Sequence, residues 1–418
     1  MSDPSAYVYV DLGSTTHLVG RLWTRATRGN QSASFQYASE WLANPASFAL
    51  EPGLRIGQAA HHTVQGRALF GALGDSAPDR WGRMLISRAE RRNAKAEGRA
   101  PRAVLEIEYL LGVNDETRLG ALRFATTEGG PFVATGETSL VPPLVELPRL
   151  LAASDHVESE EDTIEDIRLL LAPGSSLGGA RPKASVRDRD GHLTIAKFPS
   201  KTDEYNVVRW EGVALSLARR AGIQIPDWRI EEAASRKILL TQRFDRDGTR
   251  RIPFLSAMSM LSAADHELHS YLEIADALRQ HGAASSRDLE QLWRRIVFNV
   301  LISNTDDHLR NHGFLYTGPV GWSLSPAYDM NPVPVDVKPR FLTTAIVEGD
   351  STASLELALS VASDFGLKAT TAGAVVSEVA QAVATWRNEA VSLGLERQEI
   401  DRMASAFEHD DLRTALKT

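Results

Sequence analysis

The sequence predicts an α+β protein of more than one domain, and three observations carry that expectation. At 418 residues the chain exceeds the usual span of a single domain. Strand patterns and turn residues crowd the first part, whereas from Ser256 onward the apolar spacing is mainly helical. A Pro/Gly-rich stretch, EGGPFVATGETSLVPP, interrupts the first part and marks a boundary. We therefore expect an N-terminal α+β subdomain over residues 1–140, a β-rich unit over 141–250 and a helical unit over 251–418. Hydrophobic residues at 43% with charged residues at 24% allow a sizeable core. A net charge of -8 argues against bulk electrostatic binding to nucleic acid or anionic membranes. There is no cysteine, which excludes disulfides, thiolate zinc sites and a cysteine nucleophile. The N-terminus lacks the pattern of a signal peptide, and no apolar run approaches the roughly 20 residues that span a bilayer. A cytoplasmic protein without membrane contact is the expectation.

The elements follow in order. AYVYVDL and HLVGRLW alternate as strands around the turn residues GST. In DSAPDRWGRMLISRAERRNAKAEG, Ser76 or Asp79 can cap a helix that begins near Pro78. The acidic segment from Asp155 to Asp166 reads as a solvated helix face or linker. KASVR and HLTIAKF form a hairpin around Asp190-Gly191, and on the return strand Leu193, Ile195 and Lys197 share one face. Lys197 on a face that wants burial needs an anionic partner or must reach the sheet edge. EYNVVRWEGVALSLARRAG is a helix stopped at Gly222, with Glu211 on its apolar stripe. KILLTQRFDRDG is a further strand, and GFLYTGPVGWSLS a short hairpin within the helical part.

Three constellations carry chemistry. GSSLGGARPK lacks the Walker A and GxGxxG patterns, but its small residues let backbone N–H groups approach phosphate. Lys197 and Glu211 would satisfy each other as an ion pair. SNTDDHLRNHG, at the end of the apolar stretch Leu289–Ile302, places Asp306 and Asn311 five residues apart, the Asp-to-Asn spacing of the protein-kinase catalytic loop. Asp329, in SPAYDMNP, follows a hairpin where kinases place a metal-binding aspartate. Glycine loop, hairpin, strand lysine, helix glutamate, hinge strand, Asp–Asn loop and late aspartate come in the order of a bilobal, protein-kinase-like fold. A small β-rich lobe and a helical lobe, with the N-terminal α+β subdomain added, is the architecture this order implies.

DSAPDRWGRMLI, SSLGGARPKASV, IAKFPS, LLTQRFDR, FNVLISNTDDHLRN and SPAYDM together resemble the motifs of the HipA family, the serine/threonine-kinase halves of HipBA toxin–antitoxin modules. The resemblance covers nearly the whole chain. It implies Asp306 as catalytic base, Asn311 and Asp329 as Mg²⁺ ligands, and Lys197 on the ATP phosphates, with Lys183, Gly178 and Gly179 as further phosphate contacts. It implies backbone contacts to adenine near Gln242 and Phe244. Ser176 would be the autophosphorylated residue, with neighbouring Ser175 as the other candidate. Glu211 and His308 would play supporting roles. A helix-turn-helix, HipB-like antitoxin would be the partner, operator DNA would be met only through it, and complexed protein would join the nucleoid. An aminoacyl-tRNA synthetase is the substrate class the family implies.

Other readings remain open on the residues alone. Asp265 and His266 with His308, His312 and Asp306 would suit a metal-dependent phosphohydrolase, although that leaves the glycine loop and Lys197 unexplained. A small-molecule or lipid kinase shares the Asp–Asn logic. A non-catalytic corepressor is the third class, against which the set Lys197, Asp306, Asn311 and Asp329 speaks.

Overall fold

The strands Ser5–Leu12 and Thr15–Thr27 pair antiparallel across Gly13, whose φ of +64° favours glycine. With Leu122–Ala125, Asn30–Tyr37 and His61–His62 they build a five-stranded sheet, in which Leu122–Ala125 and His61–His62 form the two edges. The computed structural model describes residues 4–27, 30–135, 141–171, 179–265 and 267–418. The chain divides into two units: Met1–Thr202 with Glu231–Leu255, and Asp203–Ile230 with Ser256–Thr418.

In the first unit Asp79, not Ser76, caps the helix Arg80–Ala96, its carboxylate accepting from the Gly82 N–H at 2.8 Å. This helix shares one core with the helices Leu147–Glu158 and Ile164–Leu171 and with a second sheet. That sheet runs in the order Lys183–Arg187, Leu193–Lys197, Arg236–Gln242, Trp228–Ala233. Its buried face carries Ala184, Val186, Ala196 and Phe198. Lys197 thus lies on the opposite face, with Leu193 and Ile195; Leu193 is buried there and Ile195 half-buried, so both faces of the strand are covered in part, the Ala196 face more completely. The acidic segment is likewise more than a solvated face. Asp162 is buried and bridges Arg88 and Arg92 of the helix Arg80–Ala96 at 2.7 and 3.2 Å.

A buried polar knot closes the same unit. Arg243 and Arg246 both grip Asp245, at 2.6 and 2.7 Å, and donate to the carbonyls of Thr117, Arg118 and Gly120. Burial alone would raise the Asp245 carboxyl, but the two guanidinium charges bring it down to about 2. Burial pushes Arg246 down to about 9, against the pull of Asp245.

In the second unit the helix Val207–Arg220 ends before Gly222, which takes φ +73°. Its Trp210 packs on Trp386 and Phe407 of the C-terminal helices, with ring centroids 6.2 Å apart in both pairs. Ser285–Leu301 is the central helix, with Leu292, Trp293, Ile296, Val297 and Phe298 fully buried. Its Asp288 accepts from the Leu324 N–H at 2.9 Å and so fixes the hairpin of Gly313–Tyr316 and Trp322–Leu324. Among the described residues no helix is long and apolar enough to cross a membrane.

Candidate active site

The central helix delivers the chain into the loop 303–312 at Ser303, held in the left-handed region at φ +52°. Such a conformation costs on the order of 1–3 kcal/mol in a residue other than glycine. Neighbouring contacts offset it: the Ser303 hydroxyl donates to Ala406 O at 2.8 Å and accepts from Arg340 Nε at 3.1 Å. Ser303, Asn304, Thr305, Asp307, Asn311 and His312 are all buried. Asp306 is the exception, its side chain 72% exposed. The loop therefore presents one carboxylate to solvent from a closely packed backbone.

Asp307 supplies much of that packing. Its Oδ2 receives hydrogen bonds from Asn299 Nδ2 and His312 Nε2, both at 2.8 Å, and from the Tyr271 hydroxyl. Its backbone carbonyl accepts from the Thr344 hydroxyl at 2.7 Å. Burial pushes its carboxyl up, but His312 and the other donors outweigh this and hold it below the usual range. Sequence reasoning passed over Asp307 in favour of its neighbour. The signal available was the doubled acid of DDH with His312 five residues on.

Asn311 folds back so that its Nδ2 donates to Asp306 O at 3.3 Å and its backbone N–H to His308 O at 2.8 Å. Its Oδ1 is buried without a hydrogen-bond partner among the described residues. A buried acceptor left open costs stability unless something fills it, and an amide oxygen suits a hard cation. His308 is half-buried, and its Nδ1 has no partner either.

The segment carrying Asp329 is knitted to this loop. Tyr328 Oη donates to Arg310 O at 2.6 Å, Asn331 N–H to Asn304 Oδ1 at 3.3 Å, and Val333 N–H to Ser303 O at 3.2 Å. From beneath, buried Arg295 of the central helix donates to Ser325 O at 2.5 Å. Asp329 adopts φ +59°, and its Oδ1 lies 3.4 Å from the Asn331 amide nitrogen. Lys338, which sequence reasoning did not single out, donates to Thr305 O at 3.1 Å and stands 3.8 Å from Asp306 Oδ1. Asp306, Asn311 and Asp329 thus belong to one bonded assembly. Glu211 is buried on the helix Val207–Arg220.

In the first unit Lys197 and Lys183 face each other as cross-strand partners. Lys183 is ion-paired with Asp79 at 2.9 Å, an engagement the sequence did not disclose. Gln242 pairs with Thr194 in the sheet, and Phe244 lies 6.3 Å from Phe254, ring to ring. Gly179 takes φ +95°. Ser175, Ser176, Gly178 and His266 lie outside the described residues. Of the residues a phosphohydrolase would need, His312 binds Asp307 at 2.8 Å and Asp265 binds Arg310 at 2.9 Å.

The signature of the HipA-like C-terminal domain matches residues 175–386, just over half of the chain, and the chain belongs to that family. It is similar to a Haemophilus influenzae protein named "Putative kinase", 24% identical over 178 residues, covering 37% of this chain and 52% of that one. It is also similar to "Putative kinase Y4dM" of Sinorhizobium fredii, 27% identical over 209 residues, or 43% and 48% of the two chains. The chain thus spans about half the length of these curated relatives. Among solved structures, HipA of Shewanella oneidensis MR-1, determined with HipB and its operator DNA, aligns with a TM-score of 0.65 at 16% identity, over 99% of this chain and 96% of that one. At that identity the likeness is one of fold. The fold is α+β and kinase-like, as the order of parts led us to expect.

Proposed function

We propose that this protein is the toxin kinase of a toxin–antitoxin pair, and that it transfers the γ-phosphate of ATP to a serine or threonine hydroxyl. The observation that carries the reading is the loop 303–312: one exposed carboxylate, Asp306, on a buried frame beside the open Asn311 oxygen. Asp306 would accept the proton of the attacking hydroxyl as the new P–O bond forms and the bond to ADP breaks. Lys197 would hold the phosphates, with Lys183 beside it, and Gln242 and Phe244 would flank the adenine. Asn311 Oδ1 and the Asp329 carboxylate would hold Mg²⁺, whose chemistry there is to neutralise phosphate charge. His308 and Glu211 would play supporting roles. The preformed frame favours catalysis by positioning, because little has to move when substrate arrives.

Family membership supports a helix-turn-helix antitoxin as partner, which would bring operator DNA and the nucleoid to a chain of charge -8. An aminoacyl-tRNA synthetase is the substrate proposed, and Ser176, or its neighbour Ser175, the site of autophosphorylation. Incubation with labelled ATP and Mg²⁺, with and without a chelator, tests the reading. Label on the protein that disappears on chelation, with peptide mapping to Ser175 or Ser176, is the expected result. Label that persists without divalent metal would count against Asn311 and Asp329 as metal ligands.

A further inference from the structure

We propose that Asp79 is a positioning residue of the nucleotide site and that it acts through Lys183. This rests on the kinase reading and deepens it, since it gives part of the nucleotide site to a helix that precedes the glycine loop by some eighty positions.

Three observations support the assignment. First, Lys183 and Lys197 are directly opposed in the hairpin, so their side chains leave the same face of the sheet. Two ammonium groups so placed repel each other, and a carboxylate on one of them relieves the repulsion. Second, the Lys183–Asp79 pair is 2.9 Å long with both side chains only 4% exposed. A buried ammonium requires such a partner. Third, the carboxylate is itself fixed. Its other oxygen caps the 17-residue helix Arg80–Ala96 through the Gly82 N–H. The Trp81 N–H of the same first turn donates to Gly179 O at 3.4 Å, just before the hairpin. The start of this helix therefore holds both Lys183 of the strand and Gly179 ahead of it. An ammonium has three donors, so Lys183 can keep Asp79 while offering another N–H to a phosphate oxygen. Asp79 sets where that donor sits and lowers the positive charge of the lysine pair.

The substitution Asp79→Asn tests this cleanly, because asparagine caps a helix as well as aspartate does while the charge is lost. Binding of MgATP is measured by calorimetry, together with label incorporation at saturating ATP. We expect Asp79→Asn to weaken MgATP binding about tenfold, with the saturated rate little changed. Lys183→Met should weaken it similarly, and the double variant should add nothing further, because both changes remove one device. If Asp79→Asn does not fold, Asp79→Glu, which keeps the charge but displaces it by one methylene, takes its place and should again weaken binding. MgATP affinity unchanged in the folded variant, or losses that add in the double variant, would overturn the proposal while leaving the kinase reading intact. Wild-type protein that binds no MgATP would remove both.

Discussion

Asp306 and Asp307 are adjacent and chemically identical, yet the chain uses them in opposite ways. Asp307 is buried among Tyr271, Asn299 and His312, whereas Asp306 projects to solvent beside Lys338. The contrast is one of alternation: once one carboxylate anchors the loop inward, its neighbour is turned out. Asp307→Ala would strand three buried donors, and we expect a loss of about 3 kcal/mol or more in chemical denaturation. Tyr271→Phe removes one donor and should cost about 1 kcal/mol. A loss for Asp307→Ala no larger than for Tyr271→Phe would contradict this account of the loop.

At the scale of elements, the central helix organises the second unit. Asp288 near its start holds the hairpin, Arg295 in its middle holds the segment before Asp329, and Asn299 near its end holds Asp307. In the first unit the strand Arg236–Gln242 leads into Arg243, Asp245 and Arg246, which close on carbonyls more than a hundred positions earlier. Asp245→Ala would leave two buried guanidinium groups without their carboxylate, at a cost of about 3–5 kcal/mol. A shift in the urea midpoint of the first unit measures it, and a loss under 1 kcal/mol would show that the carbonyls alone satisfy the two arginines. The sequence disclosed the lysine hairpin, the capped helix and the Asp–Asn loop because their signals are local: a turn dipeptide, a cap, a five-residue spacing. It did not disclose Asp307's partner Tyr271, 36 positions away, or the Lys183–Asp79 pair, 104 positions apart. No spacing rule links such residues. Nor did alternation disclose that small Ala196 is more buried than Ile195, since which face packs on the helices depends on distant elements.

At the scale of the whole molecule, two buried titratable groups, one in each unit, respond oppositely to pH. In the first unit, burial pushes the Glu51 carboxyl up to about 7, so its stabilising protonated form is present at low pH and is lost as pH rises through 7. In the second, burial pushes His409 down to about 4. Neutral His409 accepts from the Leu412 N–H and faces Leu301 O, an arrangement lost as pH falls from 6.5 toward 4. Glu51→Gln should therefore raise the melting temperature at pH 8 by a few degrees and leave it unchanged at pH 5. An equal effect at both pH values would refute the Glu51 assignment.

The central claim is that one exposed carboxylate on a buried frame does the chemistry, and Asp306→Asn tests it most directly. Labelled phosphate incorporation is measured with Mg²⁺ and ATP for both proteins, alongside their melting curves. We predict a loss of at least about a hundredfold with the melting temperature unchanged, because the Asp306 side chain is 72% exposed and its hydrogen-bonded frame does not depend on it. Incorporation by the variant at the wild-type rate would contradict the account.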